Sequence, residues 1–275
     1  MKQFRGFLLL IGALCGPGFQ GSLDAAAWPL PTGRGQVFLN FTSYRAGGVY
    51  DANGSRKSFP YGGSFRKMEL NPYIEYGLST RVTLVGSFFA PAMKFEDRFN
   101  RFASAGTGDA EAGARVLVYR GEATALSVQG MVKAPTYPRD RDPAPGNHQY
   151  DYEGRLLVGR SFQRRWFWNL EGGYRFRSGF PADQVRADFT LGAAWGGRWM
   201  GLIQMFTING LGGARGGTLE VNPNLRPSFD LYKVQASLVC RLREGLRVQA
   251  GYSRDVYGRQ VGAGHALLVS LWKEF

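Results

Sequence analysis

Hydrophobic residues recur at every second position along much of this chain, and the positions between them are charged. In FRKMELNPYIEYGL, Met68, Leu70, Pro72, Ile74 and Tyr76 fall on one face, while Lys67, Glu69, Asn71, Tyr73 and Glu75 fall on the other. Val185, Ala187, Phe189, Leu191, Ala193 and Trp195 alternate in the same way with Arg186, Asp188 and Thr190. In YKVQASLVCRL the apolar set is Tyr232, Val234, Ala236, Leu238, Cys240 and Leu242, opposite Lys233, Gln235, Ser237 and Arg241. A period of two is that of a β-strand, with one apolar face and one charged face.

Segments of this kind fall at 35–46, 65–77, 81–92, 107–120, 123–134, 148–162, 166–177, 184–196, 199–209, 229–242, 246–257 and 263–275. Most match the roughly 9–11 residues with which a tilted strand crosses a bilayer. Their connections alternate in length: LSTR, RGE, QRR, GGR and REG are tight, whereas AGGVYDANGSRKSFPYGG, KFEDRFNRFASAG, PTYPRDRDPAPGN and GLGGARGGTLEVNPNLRPS are long. An even number of strands, with short turns on one side and long loops on the other, is the pattern of an outer-membrane barrel. Only closure leaves no unpaired sheet edge in lipid. The fold expected is all-β, an antiparallel up-and-down barrel of about twelve membrane-spanning strands. A soluble β-sandwich also alternates, but nothing there makes turns alternate short and long. The aromatics at the expected strand ends (Tyr76, Phe88, Tyr150, Trp166, Phe176, Trp195, Trp199, Tyr252 and Tyr257) resemble the girdles of membrane barrels.

The composition agrees. The 275 residues include 39 Gly, 20 Phe, 13 Tyr and 6 Trp, which suits sheet and turn. The stretch WMGLIQMFTINGLGGA is the nearest approach to an uncharged helix across a bilayer, and its Gln, Asn and repeated Gly disqualify it. It is apolar on both strand faces. At the N-terminus, Lys2 and Arg5 precede the apolar run GFLLLIGALCG, and Ala25–Ala27 stand before Trp28. That order reads as a secretory signal peptide over residues 1–27, with cleavage after Ala27 and a barrel over 28–275. A lipoprotein reading of Cys15 is weaker, because Leu14 stands where a small residue is required. Removal of the leader leaves Cys240 without an intramolecular disulfide partner. The formal charge of +13 becomes +12 once Lys2, Arg5 and Asp24 are gone, with 32 bases against 20 acids. Export and the interleaving of acids with bases argue against nucleic acid as the partner of so basic a chain.

On the barrel reading the charged face lines the interior. It carries Lys67, Glu69, Glu75, Asp109, Glu111, Arg115, Asp151, Glu153, Arg155, Glu171, Arg175, Arg177, Arg186, Asp188, Lys233, Arg241, Arg247 and Asp255. Two readings fit it: a water-filled, charge-lined route for a small polar or amphipathic solute, or a salt-bridged interior that fills a narrow barrel and conducts little. Both give the same pattern.

Other motifs read as structure. GTGDAEAG lacks the Lys-Ser/Thr continuation of a phosphate loop and is a loop-to-strand junction. DANGSRK begins like a calcium loop, but its twelfth position is Gly62, so it is a turn. PRDRDP has too few acids to hold a metal. No cofactor is expected. The loop bases Arg45, Arg56, Lys57, Arg98, Arg101 and Arg215 are available to phosphates of surface lipid, against a default of solvated loop charge. Some membrane barrels hydrolyse lipid with a Ser–His pair on the outer wall. Here His265 has Ala263 and Leu267 two positions away on its face, and His148 has Gly146 and Tyr150, so no enzyme is expected.

The segments WPLPTGRGQVFLNF, FPYGGSFRKMELNPYIEYGLSTRVTLVGSFF and GTGDAEAGARVLVY resemble the outer-membrane barrels grouped under the meta-pathway of phenol degradation. The similarity covers most of residues 28–120; beyond them only the hairpin rhythm matches. The resemblance implies a channel-like barrel admitting hydrophobic or aromatic compounds, and some related proteins are associated with surface polysaccharide and attachment. It supplies no catalytic set, and no functional residue is taken from it.

The function expected is passive passage of a small solute through a monomer in the cell outer membrane. The alternative is a non-conducting surface barrel concerned with exopolysaccharide, attachment or biofilm, and an outer-membrane lipid hydrolase ranks behind both. Expected partners are outer-membrane lipid, lipopolysaccharide and the barrel-assembly machinery, with no nucleic acid. In the final segment HALLVSLWKEF, Leu267, Val269, Leu271 and Phe275 face lipid while Ala266, Ser270 and Glu274 face inward. A terminal aromatic on an amphipathic last strand resembles the signal read by that machinery. Lys273 departs from the pattern on the lipid side, where a lysine near the rim can snorkel.

Overall fold

A computed structural model describes residues 27–162, 165–212 and 222–275. Residues 1–26 of the expected signal peptide and Arg215 lie outside them. The strands are β1 (Gly35–Tyr50), β2 (Arg56–Ser58), β3 (Ser64–Gly77), β4 (Val82–Phe88), β5 (Ala90–Glu96), β6 (Arg101–Ala105), β7 (Asp109–Arg120) and β8 (Thr124–Pro135). They continue as β9 (Asp151–Phe162), β10 (Trp166–Arg177), β11 (Gln184–Trp195), β12 (Trp199–Gly210), β13 (Asp230–Arg243), β14 (Leu246–Arg259) and β15 (Val261–Glu274).

Every pairing is antiparallel between neighbours, and the ring closes because β1 pairs with both β3 and β15. Leu39 of β1, for instance, faces Pro72 on one side and Leu271 on the other. The result is a closed barrel of twelve wall strands. β4 and β5 share one place in this wall, β4 pairing with Tyr73–Gly77 of β3 and β5 with Ser64–Leu70. The break at Phe89 has a local cause. Pro72 and Pro91 lack an N–H for the ladder, and the Asn71 side-chain amide instead donates to the Phe88 carbonyl (2.9 Å). β5 and β6 carry this hairpin onward, and β2 folds back on the end of β1.

The twelve segments expected from periodicity coincide with the wall strands, with ends shifted by a few residues. The first runs on to Tyr50, the sixth begins at Asp151 rather than at residue 148, and the third is the interrupted pair β4–β5. Outward side chains such as Leu70, Ile74, Val128, Leu156, Leu170, Ile203, Leu238, Leu267 and Val269 are all exposed, forming the apolar outer band. Trp166, Trp195 and Trp199 lie at the short-turn rim, and Tyr150 and Phe176 at the long-loop rim. Tyr252 is a correction: β14 continues to Arg259, so this ring sits in mid-strand between Ala236 and Leu267 and belongs to no girdle. The calcium-like stretch is a turn, with Asp51 Oδ1 accepting from the amides of Asn53 and Ser55 (both 2.9 Å).

Candidate functional site: a two-faced lumen

Strand alternation sends every second side chain of each wall strand into the barrel. On β7–β11 these are acids and bases, and they meet across strands. Glu153 is the hub: it takes ion pairs from Arg155 and Arg175, and from Arg186 at 3.3 Å. Arg155 also reaches Glu171 and Asp188, each at 3.0 Å, while Arg175 reaches Glu111 at 3.2 Å and Asp151 at 3.6 Å. Lys133 joins Asp151 (2.9 Å) to Asp109 (3.1 Å). A separate buried pair, Arg115 with Glu75 at 2.5 Å, is completed by donors from Gln36 (2.9 Å) and Tyr73 (2.6 Å) and by Gln129 on the arginine (3.2 Å). Buried charge is tolerated where each group has an opposite partner and further hydrogen bonds, as here.

The facing wall, β12–β15 with β1, has a different chemistry. Its inward residues include Met200, Leu202, Phe206, Leu268, Trp272 and Phe38, joined from β10 by Phe167. Phe167, Met200, Leu202 and Val239 form a buried cluster against which Trp272 packs, and the rings of Phe38 and Trp272 meet edge-on at 5.1 Å. Between the walls lies a cavity of about 430 Å3 that touches both, with Arg155, Glu171 and Asp188 on one side and, on the other, the apolar set interspersed with Gln204, Gln235, Gln249 and Arg247; Glu75 of β3 also borders it. Trp272 Nε1, Asn169 Oδ1 and Asp188 Oδ1 are buried on its lining without a hydrogen-bond partner among the described residues.

Both ends are narrowed. At the short-turn end, residues 27–32 turn into the lumen as a strap. Trp28 is buried with Ala27, Leu117, Ala125 and Leu157. Its carbonyl accepts from Arg115 (3.4 Å), that of Ala27 accepts from Ser127 (2.6 Å), and the Leu30 amide donates to Thr83 (3.0 Å). Two glycines make room: a Cβ on Gly159 would lie 2.2 Å from the Trp28 ring, and one on Gly77 would lie 2.2 Å from the Pro31 carbonyl. At the long-loop end, Asn222 donates to the Ala144 carbonyl (2.9 Å) and touches Met93, and Ser104 donates to the Pro143 carbonyl (2.5 Å). The Ala182 amide bonds the Pro227 carbonyl (3.0 Å), so three long loops meet over this mouth.

Of the residues expected on the inner face, Glu75, Arg115, Asp109, Glu111, Asp151, Glu153, Arg155, Glu171, Arg175, Arg177, Arg186 and Asp188 are drawn into the networks of this lumen wall. Lys67 and Glu69 form their own pair at 3.0 Å. Lys233 and Asp255 stand apart on β13 and β14 at 4.0 Å, and Asp255 also accepts from Tyr44 (2.8 Å) and the Gly264 amide (3.0 Å). Arg241 and Arg247 face each other at the short-turn rim, where Arg247 pairs with Glu274 at 2.5 Å. Sequence reasoning missed Lys133, the strap and the whole apolar wall. The signal for that wall was available: a strand apolar on both faces, as residues 199–209 are, must put apolar groups into the lumen.

His148 accepts a hydrogen bond from Arg139 (3.2 Å), and His265 points outward with its ring 5.9 Å from that of Tyr252. No serine is bonded to either imidazole among the described residues. The described residues also contain no group of three or more His, Cys, Asp or Glu able to hold a metal ion.

No family model matches the sequence, and no curated protein matches it. The resemblance to the meta-pathway barrels therefore rests on the quoted segments alone. Solved structures do match. An outer membrane channel from Pseudomonas putida F1 is similar with a TM-score of 0.72 at 15% identity, over 92% of this chain and 99% of that one. The NanC porin matches with a TM-score of 0.56 and the KdgM porin with 0.51, each at 7% identity over 86% of this chain, and over 98% and 99% of theirs. At these identities the likeness is one of fold. The closed antiparallel barrel shares the fold of these outer-membrane barrels.

Proposed function

We propose that the protein is a non-enzymatic outer-membrane channel, working as a monomer, that lets a small amphipathic solute pass passively through its lumen. A compound with an aromatic or hydrophobic body and a polar end suits it best. The observation that carries this reading is the cavity lining, in which an aromatic and aliphatic cluster interspersed with amides stands opposite paired charges. A solute oriented by both walls is held weakly enough to leave, as conduction requires. Planar-bilayer recording and proteoliposome uptake of a small aromatic carboxylate test it. Conductance and uptake above that of protein-free vesicles are expected; folded protein that is silent at every voltage overturns it.

A second reading has its own support. The strap and the meeting loops narrow both mouths, which favours a non-conducting surface barrel whose loops contact polysaccharide. Removing residues 28–32, the part of the strap that follows the expected cleavage after Ala27, separates the two: a channel gains conductance, whereas a sealed barrel stays silent.

Phe275 acts in assembly rather than passage. Its backbone bonds Gly35 in both directions (2.8 and 2.9 Å), and its ring covers Gly35 where the first and last strands meet. Deleting Phe275 should lower the yield of membrane-inserted protein without altering the conductance of what inserts. Normal yield would remove that role.

A further inference from the structure

The outer wall carries a feature that passage through the lumen does not use. At the long-loop end, Lys94 of β5 faces Arg66 of β3, Arg66 faces Arg45 of β1, Arg45 faces His265 of β15, and His265 faces Arg254 of β14. These are five consecutive positions of one hydrogen-bonded row, all on the outward face. With strands about 4.8 Å apart, the row spans about 19 Å. Arg45, Arg66, Arg254 and His265 are exposed. Lys94 is paired with Glu96. No carboxylate among the described residues lies within ion-pair distance of Arg45, Arg66 or Arg254, whereas the lumen arginines Arg115, Arg155, Arg175 and Arg186 each have one.

The surroundings define the ligand. Two residues along each strand, away from the long loops and on the same face, the neighbours are Met68, Leu267 and Tyr252, exposed, with Ser43 between Met68 and Leu267 and Ala92 on β5. The cations therefore border the exposed apolar band on its long-loop side, rising along the barrel with the tilt of the strands. The arc is also one-sided: the outward residues near the long-loop ends of β9 and β10 are Tyr152, Tyr174 and Phe176. A guanidinium matches phosphate with two parallel hydrogen bonds, and a row of them needs phosphates spaced along a line.

We propose that Arg45, Arg66 and Arg254, flanked by Lys94 and His265, form a binding site on the barrel exterior for the phosphorylated glycolipid of the outer leaflet, lipopolysaccharide. Its sugar phosphates bridge the arginines and its acyl chains lie on Met68, Leu267 and Tyr252. The site needs the barrel to reside in the outer membrane but does not depend on conduction, so a silent lumen leaves it standing.

The test is native mass spectrometry of the detergent-folded protein with three probes: bis-phosphorylated lipid A, dephosphorylated lipid A, and phosphatidylglycerol. Wild type should retain the first and lose the second. The triple variant Arg45→Ser/Arg66→Ser/Arg254→Ser should bind bis-phosphorylated lipid A about a hundredfold more weakly, with unchanged heat-modifiable gel migration showing that it is folded. The triple lysine variant keeps the charge and should fall between the two. Serine variants at Arg120 and Arg160, near the opposite rim, should change nothing. Undiminished binding by the serine triple overturns the proposal. Equal retention of phosphatidylglycerol by wild type overturns the assignment to the glycolipid, and displacement of lipid A by inorganic phosphate alone overturns the requirement for its acyl chains.

Discussion

The two walls of the lumen are built from the same kind of strand and do opposite things. On β7–β11 each charged group of the lumen network has an opposite partner, although Asp109 Oδ1, Arg186 Nε and Asp188 Oδ1 are buried without a hydrogen bond among the described residues. On β12–β15 and β1 an aromatic and aliphatic cluster stands among amides such as Gln204, Gln235 and Gln249, and its indole N–H has no partner among the described residues. A wall of ion pairs gives shape and rigidity; an apolar cluster left facing a cavity gives adhesion. On the proposed function, the most conspicuous residues of the inner face, the charges, maintain the frame, and the inconspicuous ones would meet the solute.

This contrast can be broken most severely at its hub. Replacing Glu153 by Ala leaves Arg155, Arg175 and Arg186 facing one another and should cost about 3–5 kcal/mol, measured as a lowered urea midpoint for the detergent-folded barrel. A loss below about 1 kcal/mol would mean that the wall is solvated rather than self-contained. Trp28→Ala comes next. Truncating a buried tryptophan costs at most about 3–5 kcal/mol, but here the loss is confined to strap docking, so conductance should rise while the barrel's own midpoint moves little. Trp272→Ala probes the opposite wall. Its ring borders a cavity, so stability should fall by only about 1–2 kcal/mol, while uptake of aromatic solutes drops several-fold and ion selectivity holds. Equal loss of uptake for aromatic and non-aromatic solutes would deny that wall its role. The smallest effect belongs to Glu69→Gln, which breaks a partly solvated pair with Lys67 and should cost under about 1 kcal/mol. It should shift the reversal potential if the residue borders the ion path, and an unmoved potential would place it outside.

The barrel was legible in the sequence because alternation leaves a mark on every strand. Met68, Leu70, Ile74 and Tyr76 could only face lipid if Lys67, Glu69 and Glu75 face inward, and burial divides them so. Turn lengths supplied the rest, since tight and long connections cannot be exchanged without reversing the strands. The site was less legible for two reasons. Charge draws attention to itself, whereas Phe38, Leu202, Phe206 and Trp272 look like ordinary hydrophobics until register assigns them to the inside. The strap carries no periodicity: WPLPT is a proline-interrupted stretch whose destination depends on Gly77 and Gly159, far along the chain. The row of cations on the exterior was partly visible, since Arg45 stood out as a loop base, but its partners became neighbours only through strand pairing.

The strap has a mechanical meaning as well. It leaves the start of β1 and reaches Ser127 of β8 and Gly159 of β9, almost half-way round the ring. It is thus a spoke across a hoop, and a hoop so braced resists flattening into an ellipse. Its docking place exists only once β7, β8 and β9 stand in register opposite β1. Burial of Trp28 therefore reports the assembly of the wall from β1 to β9, and the fluorescence of that one indole, isolated by replacing the other tryptophans, would time that step apart from the pairing of β1 with β15.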